Sequence, residues 1–201
     1  MEQVLSICVG IGLSAACGFR VFIPLLIMSI ASLSGHLTLA HGFEWSGTYP
    51  ALVSFAVATC LEIAGYYIPW MDHLLDTLAT PAAIVAGTIV TASAVTDMSP
   101  FLKWTLAVIA GGGAAGLVQS ATVITRGAST LATGGLANPL VASLELGGAT
   151  ITSVLALVAP ILAVLLLLTL VFFLGRSALR KARNAAGGPS VQTQISLSPT
   201  K

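Results

Sequence analysis

Charged side chains are scarce in this sequence. Its 201 residues include 8 Lys and Arg and 7 Asp and Glu, or 7% of the chain, whereas a soluble domain carries about 25%. Because a water-soluble fold of this length needs a charged surface, the shortage excludes a soluble enzyme or binding module. The hydrophobic fraction of 56% and the mean hydropathy of +0.99 exclude a disordered protein. The composition therefore predicts an all-α integral membrane protein.

Cysteine clusters and enzyme motifs are missing too. Cys8, Cys17 and Cys60 lie inside apolar runs without CxxC spacing, so they predict no disulfide framework, metal cluster or cofactor. Neither His-Glu-x-x-His nor Gly-x-Ser-x-Gly occurs, which argues against an enzyme. The net charge of +1 provides no basic surface, so nucleic acid is not an expected partner.

Long apolar runs fill the first 174 residues. A membrane-spanning helix needs about 20 apolar residues, and apolar runs occur at residues 4–33, 51–69, 80–95, 102–125 and 137–174. The first run is too long for one straight helix, and Gly18 and Pro24 are its predicted bend points. Pro81 is predicted to start a helix, after a short amphipathic piece at residues 71–78. The rings of Tyr66, Tyr67 and Trp70 are predicted to mark a membrane interface.

The last run is also too long for one crossing. We predict a break at Gly147 and Gly148, with a short half at 138–146 and a full span at 149–174. Residues 1–174 thus predict a polytopic transmembrane helix bundle of about six spans, one of them short or broken. A re-entrant short half would leave five crossings. Similar tripeptides at 14–16 and 113–115, and at 79–81 and 137–139, suggest a weak inverted repeat, although Ala- and Gly-rich spans also resemble each other by composition.

Residues 175–201 form a basic tail that is predicted to be disordered. Its cationic residues are Arg176, Arg180, Lys181 and Arg183, and a stretch rich in Gly, Pro, Ser, Thr and Gln follows. The positive-inside rule places this tail in the cytoplasm, at what we expect to be a bacterial inner membrane. Six crossings would put the N-terminus on the same side, and five would put it outside.

Four segments carry a family resemblance. They are residues 14–24 (SAACGFRVFIP), 62–72 (EIAGYYIPWMD), 76–81 (DTLATP) and 135–139 (GLANP). Together they resemble the integral-membrane family known as domain of unknown function 4126, over roughly residues 4–174. The resemblance implies a small multi-span membrane protein, and it brings no activity and no catalytic residues with it.

Ionisable residues within the apolar runs are the first candidates for a site, because an isolated charge at mid-membrane costs about 2.5–3.5 kcal/mol. Arg20 and Glu62 lie near the middle of the first and second runs, and we predict that they are partners. Glu145 is an alternative partner for Arg20 or a proton relay, with Gln119 nearby as a polar neighbour. The competing interpretations are a structural clamp and a neutral glutamic acid bonded to backbone.

A second candidate is the segment with Asp72, His73 and Asp76. Residues four apart share a helix face, so the two carboxylates and the imidazole could bind a divalent cation. The alternative is the wet face of an interfacial helix.

A third candidate is the Gly-, Ser- and Thr-rich stretch at 126–136, which we predict to be a loop. It begins with Arg126 and precedes a helix start at Asn138 and Pro139. Free N–H groups at that start, together with Arg126, could hold a lipid phosphate or a small anion. The alternative is an ordinary capped loop.

The sequence therefore favours a membrane protein that binds or transports a small solute, ion or lipid at a polar intramembrane site. One alternative is a non-catalytic structural or accessory subunit, and another is an intramembrane enzyme acting on lipids. The expected surroundings are the lipid bilayer, and the small-residue helix faces also permit homo-oligomers.

Overall fold

The computed structural model describes the backbone of residues 1–186, without the side chains of residues 69–70, 72–73, 174, 177–179 and 181–186. Regular structure in this part of the chain is entirely helical. The α-helices are α1 (Glu2–Cys17), α2 (Phe22–Leu33), α3 (Tyr49–Tyr66), α4 (Pro69–Ala94), α5 (Pro100–Leu106), α6 (Gly113–Thr133), α7 (Asn138–Val158) and α8 (Pro160–Ala186). A π-helical segment, Ala107–Gly112, joins α5 and α6 into one rod, Pro100–Thr133.

The chain separates into two compact units, Met1–Leu167 and Leu168–Lys201. In the second unit, α8 continues past Gly175 to Ala186, and the guanidinium carbon of Arg176 lies 5.8 Å from the centre of the Phe172 ring. Residues 187–201 lie outside the described residues, so the disorder predicted there stays a prediction.

Four helices are long and apolar enough to cross a membrane, namely α3, the part of α4 from Leu74 to Ala94, the rod Pro100–Thr133, and α7. Shorter apolar helices are α1, α2 and the segment Pro160–Phe173. These four helices make the chain an integral membrane protein. The predicted number of six spans is not confirmed.

The first two helices form a hairpin rather than one long span. With 16 and 12 residues, they are about 24 and 18 Å long at about 1.5 Å per residue. Their outer ends meet the same end of α4, where the Gln3 side chain donates to the Asp97 carbonyl at 2.7 Å and the Ala40 N–H donates to the Ser93 carbonyl at 2.7 Å. Residues 18–21, between α1 and α2, therefore form a tip inside the bundle.

The predicted bend at Gly18 is confirmed, and the bend at Pro24 is wrong. The chain leaves the helix after Cys17 and re-enters one at Phe22. Pro24 lies in the first turn of α2, where its missing N–H would have no intrahelical partner. The proline therefore fits the start of the helix without bending it.

Small residues at and after α1 allow close contacts with α7 and with the rod Pro100–Thr133. A methyl group on Gly18 would lie 2.6 Å from the Val118 Cβ on α6, and one on Gly12 would lie 2.7 Å from the Ala156 Cβ on α7. The Ser14 hydroxyl donates to the Gly111 carbonyl in the π-helical segment. These contacts hold α1 within the bundle, so the tip that follows it is buried.

Helix α4 contradicts the prediction that a helix starts at Pro81. It begins at Pro69 and continues to Ala94 with Pro81 inside it, so residues 71–78 belong to the same helix. Proline in a helix removes one backbone hydrogen bond, but membrane helices tolerate it where neighbouring groups satisfy the freed carbonyl. The tripeptide 79–81 is therefore within a helix, whereas the similar 137–139 is at a helix start.

The predicted loop at 126–136 is mostly helical. Helix α6 runs to Thr133 and ends at Gly134, whose φ of +62° is left-handed, the usual conformation of a glycine after a helix. The Thr133 hydroxyl, which was one of those that suggested a loop, donates to the Ser129 carbonyl within the helix at 2.8 Å. Arg126 is thus a helical and buried residue.

The predicted break at Gly147 and Gly148 is also wrong. Helix α7 passes through both glycines, and the chain breaks at Ala159, before Pro160 starts α8. Gly148 faces Phe19, whose ring would lie 3.6 Å from an added methyl group, so close packing explains the glycine. Residues 138–146 are the first part of a full-length helix rather than a short half.

Candidate functional site

Glu62 closes the start of α2 rather than pairing with Arg20. Its two carboxylate oxygens accept hydrogen bonds from the backbone N–H groups of Val21 at 2.8 Å and Phe22 at 3.1 Å. These N–H groups lie at the start of a helix, where they have no intrahelical acceptor and where the helix dipole favours negative charge. Glu62 on α3 is therefore a cap for α2, and the predicted Arg20–Glu62 partnership is replaced by this contact.

Arg20 lies at the tip between α1 and α2 and is only 2% exposed. Its Nη2 donates to the Ala142 carbonyl at 3.1 Å and lies 3.5 Å from the Glu145 Oε2. The alternative prediction, that Glu145 is the partner of Arg20, therefore matches the geometry. The Nε and Nη1 atoms of Arg20 are buried and have no hydrogen-bond partner among the described residues.

Arg126 on α6 makes the strongest contact with Glu145. Its Nε donates to the Glu145 Oε1 at 2.9 Å, and its Nη2 donates to the Glu145 Oε2, which is a two-point pairing. Its Nη1 also lies 3.5 Å from the Asp76 Oδ1 on α4. Since Arg126 is 3% exposed and Glu145 is 5% exposed, this pair is inside the protein.

The Tyr66 ring contacts both arginines. Its ring centre lies 3.6 Å from the guanidinium carbon of Arg20 and 4.1 Å from that of Arg126. Contacts this close are favourable cation–π interactions. Tyr66 is only 5% exposed, so its ring packs among these side chains inside the protein.

These contacts define one group of side chains, which we call the arginine cluster: Arg20, Tyr66, Asp76, Arg126 and Glu145. They come from the hairpin tip, α3, α4, α6 and α7. Glu145 is the carboxylate that contacts both guanidinium groups. The sequence placed Arg20, Arg126 and Glu145 among the candidates for a solute site, but it gave no reason to add Tyr66 to them or to pair Asp76 with Arg126.

The remaining predicted site residues lie beside this cluster. Gln119 is buried on α6 at 3% exposure, and its backbone nitrogen would lie 2.9 Å from a methyl group on Gly18. Asn138 at the start of α7 donates to the Thr130 hydroxyl at 3.1 Å. Gln119 thus lies next to the hairpin tip, and Asn138 connects α7 to α6.

Two cavities flank α4 near the cluster. The first, of about 620 Å³, is lined by polar groups from α4, α6 and α7, among them Asp76, Thr80, Arg126, Thr130 and Asn138. The second, of about 600 Å³, is mostly apolar and lies between α2, α3 and α4, with Phe22, Glu62, Tyr66, Leu75 and Ala79 in its wall. Both volumes fall in the range of small-molecule sites, and the polar cavity reaches Arg126 directly.

The predicted metal site at Asp72, His73 and Asp76 stays a prediction. The side chains of Asp72 and His73 lie outside the described residues. Asp76 contacts Arg126 at 3.5 Å. Among the side chains that the structure describes, no group of three His, Cys, Asp or Glu has a metal-binding arrangement.

The family known as domain of unknown function DUF4126 matches residues 7–180 of the chain. This match covers α2 to α7 in full and most of α1 and α8. No curated protein and no solved structure matches the chain.

Proposed function

The chain belongs to the DUF4126 family, and from the geometry of its arginine cluster we propose that it binds a small anionic solute within the membrane and carries it across. The site consists of Arg20 and Arg126 as cationic anchors, with Glu145 between them. Asp76 and Asn138 line the polar cavity that leads to Arg126.

The observation that carries this proposal is the incomplete bonding of Arg20. Its Nε and Nη1 are buried without hydrogen-bond partners in the part of the chain that the structure describes, and these two atoms carry three N–H bonds. A buried donor without an acceptor costs about 1–3 kcal/mol, and lipid supplies no acceptor. An oxyanion or halide would satisfy these donors with charge-assisted bonds.

The hairpin of α1 and α2 supports the same proposal. Non-helical backbone deep in a membrane protein is tolerated where it is covered by protein or lines a water-filled cavity, and broken helices hold the solute sites of many transporters. Here the break at residues 18–21 carries Arg20. We infer that α1 and α2 enter and leave on one face of the membrane while the four long helices cross it.

A structural clamp is the competing function, and one observation favours it. Arg126, Glu145 and Asp76 already contact one another, so this part of the cluster holds α4, α6 and α7 together without a ligand. A clamp gives no role to the partnerless nitrogens of Arg20, and it predicts no solute flux.

The test is transport by the purified full-length protein in liposomes. Uptake of radiolabelled chloride and pyruvate is measured for the wild type, Arg20→Ala and the matched control Arg176→Ala, which removes an exposed arginine. We expect uptake of at least one anion in the wild type and in the control, and at least a tenfold loss in Arg20→Ala. Binding by equilibrium dialysis is measured on the same samples.

Two results would contradict the proposal. One is a wild type that neither binds nor transports either anion, which would favour the clamp. The other is an Arg20→Ala variant that folds and transports as the wild type does. Arg20→Lys keeps the positive charge but lacks the planar donor group, so we expect partial activity from it.

A further inference from the structure

One carboxylate serves two buried arginines in this protein. Glu145 accepts two hydrogen bonds from Arg126 and lies 3.5 Å from the Nη2 of Arg20. A solute anion that used the same guanidinium groups would therefore approach the Glu145 carboxylate closely. Two like charges about 4 Å apart repel by about 4 kcal/mol at an effective dielectric constant of about 20.

The other acidic groups increase this repulsion. Glu62 lies near the tip and contacts Val21 and Phe22, and Asp76 contacts Arg126. With all three carboxylates ionised, they outnumber the two guanidinium groups by one negative charge. An added anion would bring the excess to two among these buried side chains, unless a positive charge arrives with it.

We propose that the solute anion binds together with one proton, and that Glu145 carries this proton. This inference rests on the proposed anion site. A proton from water converts the Glu145 carboxylate to a neutral carboxyl group, which then binds the guanidinium groups more weakly. The anion accepts hydrogen bonds from the guanidinium N–H groups that Glu145 releases. It also accepts hydrogen bonds from the Arg20 N–H groups that already lack an acceptor among the described residues. One positive and one negative charge enter together, so the net charge of the site is unchanged.

The geometry favours Glu145 over the other groups as the proton carrier. Glu62 is held by the backbone of α2, and Asp76 contacts Arg126. The groups around Glu145 are Arg20 at the tip, Arg126 on α6, Tyr66 and Glu62 on α3, and Asp76 on α4. Glu145 contacts both arginines, so its neutralisation weakens a contact of each.

The coupling predicts a specific pH dependence of binding. Since one proton is taken up with each anion, the affinity is expected to rise by up to tenfold for each unit that the pH falls. Chloride and pyruvate are suitable probes because neither changes its charge between pH 5.5 and pH 7.5. Binding to the purified wild type is measured by equilibrium dialysis across this range.

The key variant is Glu145→Gln, which replaces the carboxylate by a neutral group of the same shape. We expect its anion affinity to be independent of pH and, at pH 7.5, at least equal to that of the wild type. Glu44→Gln, which removes an exposed loop carboxylate, is the matched control and should keep the pH dependence. If Glu145→Gln does not fold, Glu145→Asp keeps an ionisable group and should keep the pH dependence.

A flux measurement tests the same coupling without a variant. Wild-type liposomes contain a pH-sensitive dye, and an inward anion gradient is applied with the membrane potential clamped. We expect one proton to enter per anion and the rate to be unchanged when the clamped potential is varied. Uptake that follows the potential, or binding by the wild type that does not vary with pH, would overturn the coupling while leaving the anion site intact. Absence of binding and flux at every pH would overturn both proposals.

Discussion

Replacing Arg126 by methionine tests the buried part of the cluster. Methionine has a similar length but no charge, so Arg126→Met removes two hydrogen bonds to Glu145 and the 3.5 Å contact with Asp76. Removing one partner of a buried ion pair costs about 3–5 kcal/mol, because the other charge is left uncompensated. Glu145 would keep Arg20 at 3.5 Å. We therefore expect the lower end of this range, about 3 kcal/mol of lost stability.

The measurement is reversible unfolding in mixed micelles, in which sodium dodecyl sulfate is increased and helicity is followed by circular dichroism. A loss of about 3 kcal/mol lowers the folding equilibrium constant by roughly 100-fold. The control is Arg176→Met, which removes an exposed arginine and should change stability by less than about 0.5 kcal/mol.

A double variant separates the lost pair from the lost packing. In Arg126→Met with Glu145→Gln, the carboxylate that was left uncompensated is absent, so we expect the double variant to be more stable than the sum of the two single changes predicts. Coupling of about 0.5–3 kcal/mol is usual for residues in contact. The reasoning would be refuted if Arg126→Met cost less than about 1 kcal/mol, or if the two changes were additive.

Three further predictions concern the hairpin and its surroundings. Gly18→Ala should destabilise the protein by about 1–3 kcal/mol through overpacking, whereas Gly113→Ala, which has open space around it, should be neutral or stabilising in the same unfolding assay. Cysteines introduced at Gln3 and His41 in a background without native cysteines should both react with an impermeant maleimide from the same side of the membrane, and labelling from opposite sides would disprove the hairpin. Backbone N–H hydrogen bonds hold the pKa of the exposed Glu44 carboxyl below its usual value. The stabilisation from Glu44 should therefore be complete above the ordinary carboxyl pKa and be lost as the pH falls through the lowered value, and Glu44→Gln should remove this dependence from hydrogen exchange in the loop.

The helical membrane class could be predicted because composition alone determines it. A chain with 7% charged residues cannot cover a soluble fold, and α-helices are how such a chain satisfies its backbone in lipid. The bend at Gly18 could also be predicted, because the first run was longer than the membrane is thick. The length rule could not distinguish a bent span from a hairpin, which depends on where α1 and α2 meet α4.

The errors at Pro81, Gly147 and Gly148 have a common cause. Local rules place proline at helix starts and glycine at helix breaks, and these rules describe helices in water. In a bundle within lipid, the cost of an unsatisfied backbone keeps the helix continuous, and small residues serve contacts between helices instead. Gly148 against Phe19 is such a contact.

The composition of the arginine cluster depends on long-range geometry that a single sequence does not contain. Arg126 was predicted to lie in a loop, and the length of α6 places it inside the bundle instead. Tyr66 resembled an interface residue because tyrosine is frequent there, and only its position between two guanidinium groups shows another role. The intramembrane charges were nonetheless the correct residues to single out, since each needs a partner.

The ion pairs in this protein follow from the hydrogen bonds that Glu62 makes with the start of α2. Because both oxygens of Glu62 accept hydrogen bonds from the start of α2, the nearby Arg20 needs a counter-charge from another helix, and it finds Glu145. That carboxylate is already engaged at two points by Arg126, so it cannot also satisfy the full set of Arg20 donors. Because the two guanidinium groups share the Glu145 carboxylate, some N–H donors of Arg20 stay without an acceptor among the described residues. In a protein surrounded by lipid, only a bound ligand or water can accept hydrogen bonds from these donors. The lack of acceptors for the Nε and Nη1 of Arg20 thus follows from the capping of α2 by Glu62.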